Sequence, residues 1–106
     1  MISIGTDIVY IKRLEEKKFS DKIFHQSELR NNNSQKLAGI IAVKEACFKA
    51  LGVSSRWLEI EVKYKKSGQP YLVFSNELKS EIEDYSCSIS HDGEYAVAVV
   101  IFQLKE

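Results

Sequence analysis

The stretch LAGIIAVKEACFKALG, from Leu37 to Gly52, has the apolar spacing of an amphipathic helix. At about 100° per residue, one face of that helix collects six apolar side chains: Leu37, Ile40, Ile41, Cys47, Phe48 and Leu51. Lys44 falls inside the same arc, where an unpaired ammonium would be costly to bury. Glu45 and Lys49 follow Ala38 and Ala42 on a neighbouring strip. A helix that only packs needs neither feature, so the stretch predicts a long helix that also carries polar function.

In the sequence before and after this helix, alternating apolar residues predict strands. The predicted strands cover residues 1–11, 58–65, 70–74, 87–91 and 94–104. Shorter helices are predicted over 12–18 and 21–29, and a longer one over 75–85 with Ser75 or Asn76 as its cap. Asp92 and Gly93 stand between two apolar strands and predict a tight hairpin. The sequence therefore predicts an α+β fold, an antiparallel sheet packed against one long central helix, as a single domain over residues 1–106.

The bulk composition is that of a small globular domain with no net charge. The chain has 106 residues, 15 basic and 15 acidic, and 44% of its residues are hydrophobic. This balance argues against a general nucleic-acid or membrane-surface binder. No apolar run is long enough for a membrane span or matches a secretory signal, so we expect a cytoplasmic protein. Cys47 and Cys87 have no metal-like spacing and are predicted to be reduced core residues.

The charge is unevenly distributed along the chain. Residues 10–49 contain nine Lys or Arg against five Asp or Glu, whereas residues 75–94 contain six acidic residues and one Lys. An ordinary solvated surface can produce such runs. The alternative is that the basic region forms a docking face for an acidic partner.

Taken singly, the polar residues of the predicted elements also have ordinary explanations. Glu45 and Lys49, four residues apart, could be a helix-stabilising ion pair, and Asp7 at a strand end could cap a loop. His91 beside the hairpin turn could have no catalytic role. Taken together, two carboxylates and nearby lysines suit a Mg²⁺ ion and the phosphate groups of a substrate. This combination is chemically coherent, but by itself it does not single out one reaction.

Three ordered motifs carry a family resemblance: IGTDIVYIKRL at the start, AVKEACFKALG in the middle and SISHDGEYAVAVVI near the end. They resemble the signatures of the holo-acyl-carrier-protein synthases, the small 4'-phosphopantetheinyl transferases. EIEVKYKKSGQPYLVF also resembles that family's strand, Gly-x-Pro turn and strand. The resemblance implies transfer of the 4'-phosphopantetheine group of coenzyme A to a serine of apo acyl carrier protein, with release of adenosine 3',5'-bisphosphate, in support of fatty acid biosynthesis.

The resemblance also implies roles for individual residues. Asp7 and Glu45 match the magnesium ligands, and Lys49 matches the lysine that contacts the transferred phosphate. Positions that line the coenzyme A site in the family are matched by six residues: Lys44, Phe48, Gly68, Pro70, Ser90 and His91. Family members of this size are usually homotrimers with active sites between subunits, so Lys44 is expected to face an interface cleft filled by phosphates.

The carrier protein is expected to dock on the first helix. Arg13 matches a docking arginine of the family, and Lys22 stands where another arginine is common. A lysine keeps the charge but lacks the bidentate fork of arginine. Acyl carrier proteins of this class are acidic, so the basic region between residues 10 and 49 is expected to bind them.

The chain also departs from the family pattern. Ile40 stands where an arginine that helps to bind coenzyme A is common, Gln69 replaces a frequent Lys or Arg, and GVSSRW shortens a Gly-rich stretch. Arg56 could compensate for the lost charge. The general base is left open between His91, Asp7 and a metal-bound water.

The last strand predicts an assembly. Residues 95–102 are apolar on both faces, although a sheet packed on one side by a helix should show a polar outer face. The second face must be covered either by short helices of the same chain or by other copies, and the resemblance favours a trimer. Two rival functions fit the residues less well: a magnesium-dependent nuclease, and a non-catalytic binding module on the same fold.

Overall fold

The computed structural model describes residues 1–15, 21–30 and 33–106. Five strands are present in this part of the chain: β1 (Ile2–Tyr10), β2 (Ile60–Tyr64), β3 (Pro70–Phe74), β4 (Ile82–Asp92) and β5 (Tyr95–Leu104). The helices described are α1 (Lys12–Glu15), α2 (Gln26–Leu29), α3 (Ser34–Leu51) and α4 (Asn76–Lys79), with a single 3₁₀ turn at Trp57–Glu59. The predicted α+β class is confirmed.

The strands form two antiparallel sheets. One has the order β1-β5-β4, so the last strand lies in the middle and the first strand at an edge. The other is the β2–β3 hairpin, whose β3 strand contacts β4. The hairpin therefore flanks the β4 edge of the larger sheet, and the β1 edge is the opposite one.

The central helix is one turn longer at its start than the apolar pattern indicates. Asn33 caps α3 by accepting a hydrogen bond from the backbone N–H of Lys36 at 2.9 Å. At the other end Gly52 adopts a left-handed conformation with φ of 71°, the usual way for a helix to stop. The predicted long helix ending at Gly52 is confirmed.

The helix packs unusually close to the sheet at Gly5. A Cβ atom built on Gly5 would lie 1.9 Å from the carbonyl oxygen of Ala46, so only glycine fits beneath this turn of α3. Ala96, Ala98 and Val100 of β5 face the helix from the middle of the sheet and are at most 1% exposed. Small residues on both surfaces thus let the helix backbone approach β1 and β5.

The predicted helix over residues 75–85 is wrong beyond its first turn. Ser75 does cap a helix, accepting from the Leu78 N–H, but α4 ends at Lys79. The chain then enters β4, where Tyr85, Cys87 and Ile89 alternate with exposed serines and point towards the core. This period of two, together with ten residues paired to β5, outweighs the local helix propensity of the segment. The strand predicted over 87–91 is therefore five residues longer at its start.

The predicted hairpin between the last two strands is present, with its turn one residue later than expected. Asp92 still pairs with Tyr95, and the two-residue turn is Gly93-Glu94, with Gly93 at φ of 58°. Of the N-terminal helices, α1 covers Lys12–Glu15, and α2 is shorter than predicted, at Gln26–Leu29. The rest of the predicted 12–18 helix lies outside the described residues.

The outer face of the β1-β5-β4 sheet, turned away from α3, is apolar and uncovered. Paired rows place Ile4 beside Ile101 and Ile8 beside Val97 on this face. Ile4 is 65% exposed, Ile8 62% and Ile101 45%. Within the described part of the chain no helix covers this surface, because α3 occupies the other side. An apolar face of this kind marks an interaction surface.

Lys44 lies on the side of α3 away from the sheet and is fully buried. Its ammonium donates three hydrogen bonds, to the Glu28 carboxylate at 2.8 Å and to the carbonyls of Ile23 at 2.9 Å and Trp57 at 3.0 Å. Both side chains of the Lys44–Glu28 pair are 0% exposed. Burial lowers the pKa of Lys44, and the Glu28 carboxylate opposes that shift.

The Glu28 carboxylate also binds two backbone N–H groups. It accepts hydrogen bonds from the backbone N–H groups of His25 at 2.7 Å and Val62 at 2.8 Å in addition to Lys44. The pair therefore joins the middle of α3 to α2 and β2. The ammonium that the sequence places in an apolar arc is a fully satisfied buried ion pair.

We predict that Lys44→Met lowers the free energy of unfolding by about 3–5 kcal/mol, since it leaves the buried Glu28 charge without its partner. The double variant Lys44→Met/Glu28→Gln removes that charge and should be more stable than the single variant. The matched control is Lys49→Met on the exposed face of the same helix, with an expected loss of at most about 1 kcal/mol.

Urea unfolding at one fixed protein concentration measures all three variants, because self-association would make stability depend on concentration. A Lys44→Met variant as stable as Lys49→Met would contradict the role assigned to the buried pair.

Candidate active site

Two elements bring Asp7, Glu45 and Lys49 together at the β1 edge of the sheet. Asp7 faces α3 because it pairs with the buried Ala98, and Glu45 precedes the turn of α3 that rests on Gly5. Lys49 lies one turn further along and donates to the Asp7 carboxylate and to the Thr6 carbonyl, both at 3.0 Å. The constellation predicted from the sequence is thus assembled within one chain.

The electrostatics of this group suit a divalent cation. Burial raises the pKa of Glu45, the negative charge of Asp7 raises it further, and Lys49 opposes both. Two carboxylates that disfavour each other's charge gain from a cation placed between them. Among the described residues no three or more His, Cys, Asp or Glu gather as metal ligands. Two carboxylates fit Mg²⁺, which usually keeps waters and substrate phosphate as its other ligands.

A second feature is a cleft of about 490 Å³ at the β4 edge, here called the hairpin cleft. Its lining comes from the start of α3, the β2–β3 hairpin and the end of β4: Lys36, Tyr64, Lys65, Gly68, Pro70, Ile89 and His91. Gly68 has φ of 91°, which opens the turn, and the His91 Nε2 atom lies 3.0 Å from the Gln35 carbonyl. Since a carbonyl only accepts, Nε2 carries the proton in this contact.

The hairpin cleft and the carboxylate pair do not share a space within one chain. Asp7 lies on β1 and His91 on β4, with β5 between them, so strand spacing alone separates the two edges by about 10 Å. The helix α3 packs on the sheet between the two features. In the part of the chain that the structure describes, Asp7, Glu45 and Lys49 are absent from the cleft lining. Each chain thus presents two halves of the predicted site on opposite sides.

Two residues expected in the coenzyme A site are buried in the core instead. Lys44 has no exposed surface, and all three N–H groups of its ammonium donate to protein acceptors. The expectation that it faces phosphates in a cleft is therefore wrong. Phe48 is 4% exposed and packs edge-on against Trp57, with ring centroids 5.0 Å apart. Neither side chain offers surface to a ligand.

The other predicted cleft residues divide between two faces. Gly68, Pro70 and His91 line the hairpin cleft, as a shared site requires. Ser90 pairs with Val97 on the apolar outer face and so points away from this cleft. A strand necessarily sends two consecutive residues to opposite faces. The binding role of these residues is still a prediction.

The residues expected to dock the carrier protein are both exposed. Arg13 lies on α1, whose neighbour Lys12 forms an ion pair with Glu94 at 3.3 Å. Lys22 lies in the turn before α2. The helix α1 sits beside the β4–β5 turn, since the Ile11 N–H donates to the Glu94 carbonyl at 2.8 Å. Both side chains are thus accessible, and their role in docking is still a prediction.

The charge missing at Ile40 and Gln69 is not restored by Arg56. Ile40 is 0% exposed, and Gln69 lies exposed in the hairpin turn. Arg56 pairs with Glu59 and, at 2.8 Å, with Glu77. Two carboxylates already hold its guanidinium, so the suggested compensation is wrong.

Sequence reasoning missed three residues of the hairpin cleft: Lys36, Tyr64 and Lys65. Lys36 precedes the helix predicted from Leu37, and Tyr64 and Lys65 end the strand predicted over 58–65. The Asn33 cap, which starts α3 early, is the one signal that could have placed Lys36 on its first turn. Their meeting depends on how the hairpin packs beside β4, which no local pattern encodes.

Comparisons with known proteins agree with this geometry. A sequence profile of the 4'-phosphopantetheinyl transferase superfamily matches residues 3–100. The holo-[acyl-carrier-protein] synthase of Fusobacterium nucleatum is 36% identical, over 95% of this chain and 98% of the relative. That of Nautilia profundicola is 39% identical, over 92% of this chain and 96% of the relative.

The fold is similar to solved structures as well. The crystal structure of Helicobacter pylori holo-[acyl-carrier-protein] synthase in complex with coenzyme A superposes with a TM-score of 0.80 at 35% identity, covering 94% of this chain and 99% of that one. Profile, sequence and fold agree from end to end. The chain therefore belongs to the 4'-phosphopantetheinyl transferase superfamily.

Proposed function

We infer that this protein is a holo-acyl-carrier-protein synthase, acting as a single transferase domain over residues 1–106. It moves the 4'-phosphopantetheine group of coenzyme A to a serine hydroxyl of apo acyl carrier protein. The observation that carries this inference is the Asp7–Glu45–Lys49 cluster in a chain related over almost its whole length to holo-[acyl-carrier-protein] synthases. Such an activity would serve fatty acid biosynthesis, and the cytoplasmic location is still a prediction.

The transfer is a substitution at phosphorus. The serine Oγ forms a bond to the phosphorus that carries the pantetheine arm, the bond from that phosphorus to the bridging oxygen of the diphosphate breaks, and adenosine 3',5'-bisphosphate leaves. The serine proton passes to a base. Catalysis of such a step is mainly positioning and stabilisation of charge on the phosphate oxygens.

The residues at the β1 edge can supply that stabilisation. Asp7 and Glu45 would hold Mg²⁺, which when bound neutralises charge on the phosphate oxygens. Lys49 already has its ammonium 3.0 Å from the Asp7 carboxylate, which places a second positive charge beside the metal position. Glu45 is partly buried, so this group of charges is partly shielded from water. Electrostatic interactions are stronger there than they would be in bulk water.

We propose that the working form is a homotrimer whose active sites lie between copies. Two observations support it: the carboxylate pair and the hairpin cleft lie at opposite edges of one chain, and the outer face is an uncovered apolar surface. In a closed ring each copy can present its β1 edge to the β4 edge of the next. His91 would then act beside the carboxylates of a neighbouring copy. His91, Asp7 and a metal-bound water are still the candidate bases.

We propose that the carrier protein docks on α1 through Arg13 and on the following turn through Lys22. Both are exposed and lie in the basic region of a chain whose overall net charge is zero. Positive charge at a docking rim mainly speeds association with an acidic partner. The same residues suit a magnesium-dependent nuclease poorly, because a phosphate backbone favours a more basic surface.

The direct test is to incubate the protein with apo acyl carrier protein, coenzyme A and Mg²⁺ and to weigh the carrier by mass spectrometry. The expected result is a mass increase equal to one phosphopantetheine group on one serine. Coenzyme A binding with no mass increase would support the non-catalytic binding module instead. Cleavage of a plasmid with no mass increase would support the nuclease.

We predict that Asp7→Asn and Glu45→Gln each reduce kcat/KM by at least about a hundredfold, because each removes one of two carboxylate ligands while preserving shape. Glu81→Gln, at an exposed carboxylate between α4 and β4, is the matched control and should leave activity unchanged. Mass-spectrometric rates over a magnesium titration provide the measurement. Near-normal activity of either variant at limiting magnesium would show that the metal assignment is wrong.

We predict that Ile101→Glu separates the copies and abolishes activity, because it places a charge in the middle of the outer face. Val73→Glu is the control, since Val73 is 44% exposed against 45% for Ile101 but lies on the β2–β3 hairpin. Sedimentation should show trimers for the parent and for Val73→Glu, and folded monomers for Ile101→Glu. A fully active monomer of the parent protein or of Ile101→Glu would refute a site shared between copies.

A further inference from the structure

The hairpin cleft carries two lysines that no carboxylate neutralises. Lys36 and Lys65 both line it, and its lining includes no Asp or Glu. Among the described residues neither ammonium lies within 4.0 Å of a carboxylate, whereas the side chains of Lys12, Lys44, Lys49 and Arg56 are each paired in this way. Two uncompensated ammonium groups in one concave site favour a bound anion.

Backbone hydrogen bonds fix the main-chain positions of both lysines. Lys36 lies in the first turn of α3, where its N–H is held by the Asn33 cap, and its ammonium sits 5.0 Å from the centre of the Tyr64 ring. Lys65 begins the hairpin turn and is held on both sides: its N–H donates to the Gln69 carbonyl, and its carbonyl accepts from the Gly68 N–H, each at 2.9 Å. Two separate elements thus each contribute a lysine to the lining of one cleft.

The walls of the cleft suit a ligand that is part anion and part apolar. Tyr64, Pro70 and Ile89 contribute apolar surface, and all three are half-buried. Binding sites of this kind use apolar walls for affinity and a few polar groups for orientation. A free inorganic anion would leave those walls exposed.

This inference rests on the proposed function, because the substrate of that function, coenzyme A, determines which phosphate group could bind in the cleft. The diphosphate of coenzyme A must reach the carboxylate pair, because the bond that breaks lies there. The remaining anionic group is the 3'-phosphate, a monoester with a charge close to −2 at neutral pH. We propose that Lys36 and Lys65 bind the 3'-phosphate of coenzyme A and so set the preference for a 3'-phosphorylated substrate.

The two lysines thereby take the place of charge that this chain lacks elsewhere. Ile40 is fully buried, Gln69 is uncharged, and Arg56 is held by Glu59 and Glu77. Lys36 and Lys65 are the cations that the structure places in the cleft itself. Two ammonium groups match the charge of one phosphate monoester, and such charge-assisted contacts are strong.

A binding experiment tests the inference without activity. Calorimetry compares adenosine 3',5'-bisphosphate with adenosine 5'-monophosphate on the parent and on Lys36→Gln, Lys65→Gln and the double variant. Each single variant should weaken binding of the bisphosphate about tenfold and leave binding of the monophosphate unchanged. Lys66→Gln removes the same charge one residue outside the cleft lining and should bind both nucleotides like the parent.

A kinetic experiment separates this inference from the proposed function. With coenzyme A, kcat/KM should fall about tenfold in each single variant, whereas with 3'-dephospho-coenzyme A it should not change. Equal losses with both substrates, or an equal effect of Lys66→Gln, would overturn the 3'-phosphate assignment. A parent protein that discriminates between the two nucleotides but transfers nothing from coenzyme A would overturn the proposed function and leave the assignment intact.

Discussion

The architecture depends on the contact between Gly5 and Ala46. With no side chain at Gly5, the backbone of α3 rests directly on β1, and any Cβ there would collide with the Ala46 carbonyl at 1.9 Å. Asp7 lies two residues beyond Gly5 and faces the same side of the strand, and Glu45 is the residue before Ala46. The close approach of helix and strand is therefore also what brings the two carboxylates together. Packing and chemistry share one constraint.

The middle of α3 shows how one turn of helix serves two purposes. Lys44 and Glu45 are neighbours in sequence, but they point in directions about 100° apart. Lys44 is held in a dry ion pair with Glu28, which fastens α2 and β2 to the helix. Glu45 points to the β1 edge beside Asp7 and Lys49. The buried pair thus fixes the helix from behind, so that the carboxylate on its other side is held in place.

The sequence predicted the fold class, the central helix with its Gly52 end, and the cluster of Asp7, Glu45 and Lys49. The fold class and the helix follow from apolar periodicity, which is local. The cluster joins residues as far apart as Asp7 and Lys49, and it was predicted through the resemblance of three ordered motifs to a known family. It misjudged the 75–85 segment, because a helix cap and helix-forming residues preceded a strand whose pairing with β5 is long-range. It also misjudged Lys44, since its partner Glu28 lies 16 residues away in sequence. Lys36 and Lys65 meet only through the packing of the hairpin, and no single segment contains that information.

In the proposed homotrimer each active site combines the β1 edge of one copy with the β4 edge of another. Refolding a mixture of two defective variants distinguishes this arrangement from a site built within one chain. Asp7→Ala lacks the metal half and His91→Ala lacks the cleft half. The two variants are unfolded, mixed in equal amounts and refolded together. If the copies assemble at random, about a quarter of all interfaces should join the intact β1 edge of a His91→Ala copy to the intact β4 edge of an Asp7→Ala copy. The refolded mixture should show activity well above the average of the two variants refolded separately. Activity equal to that average, in a mixture shown to contain mixed oligomers, would contradict it.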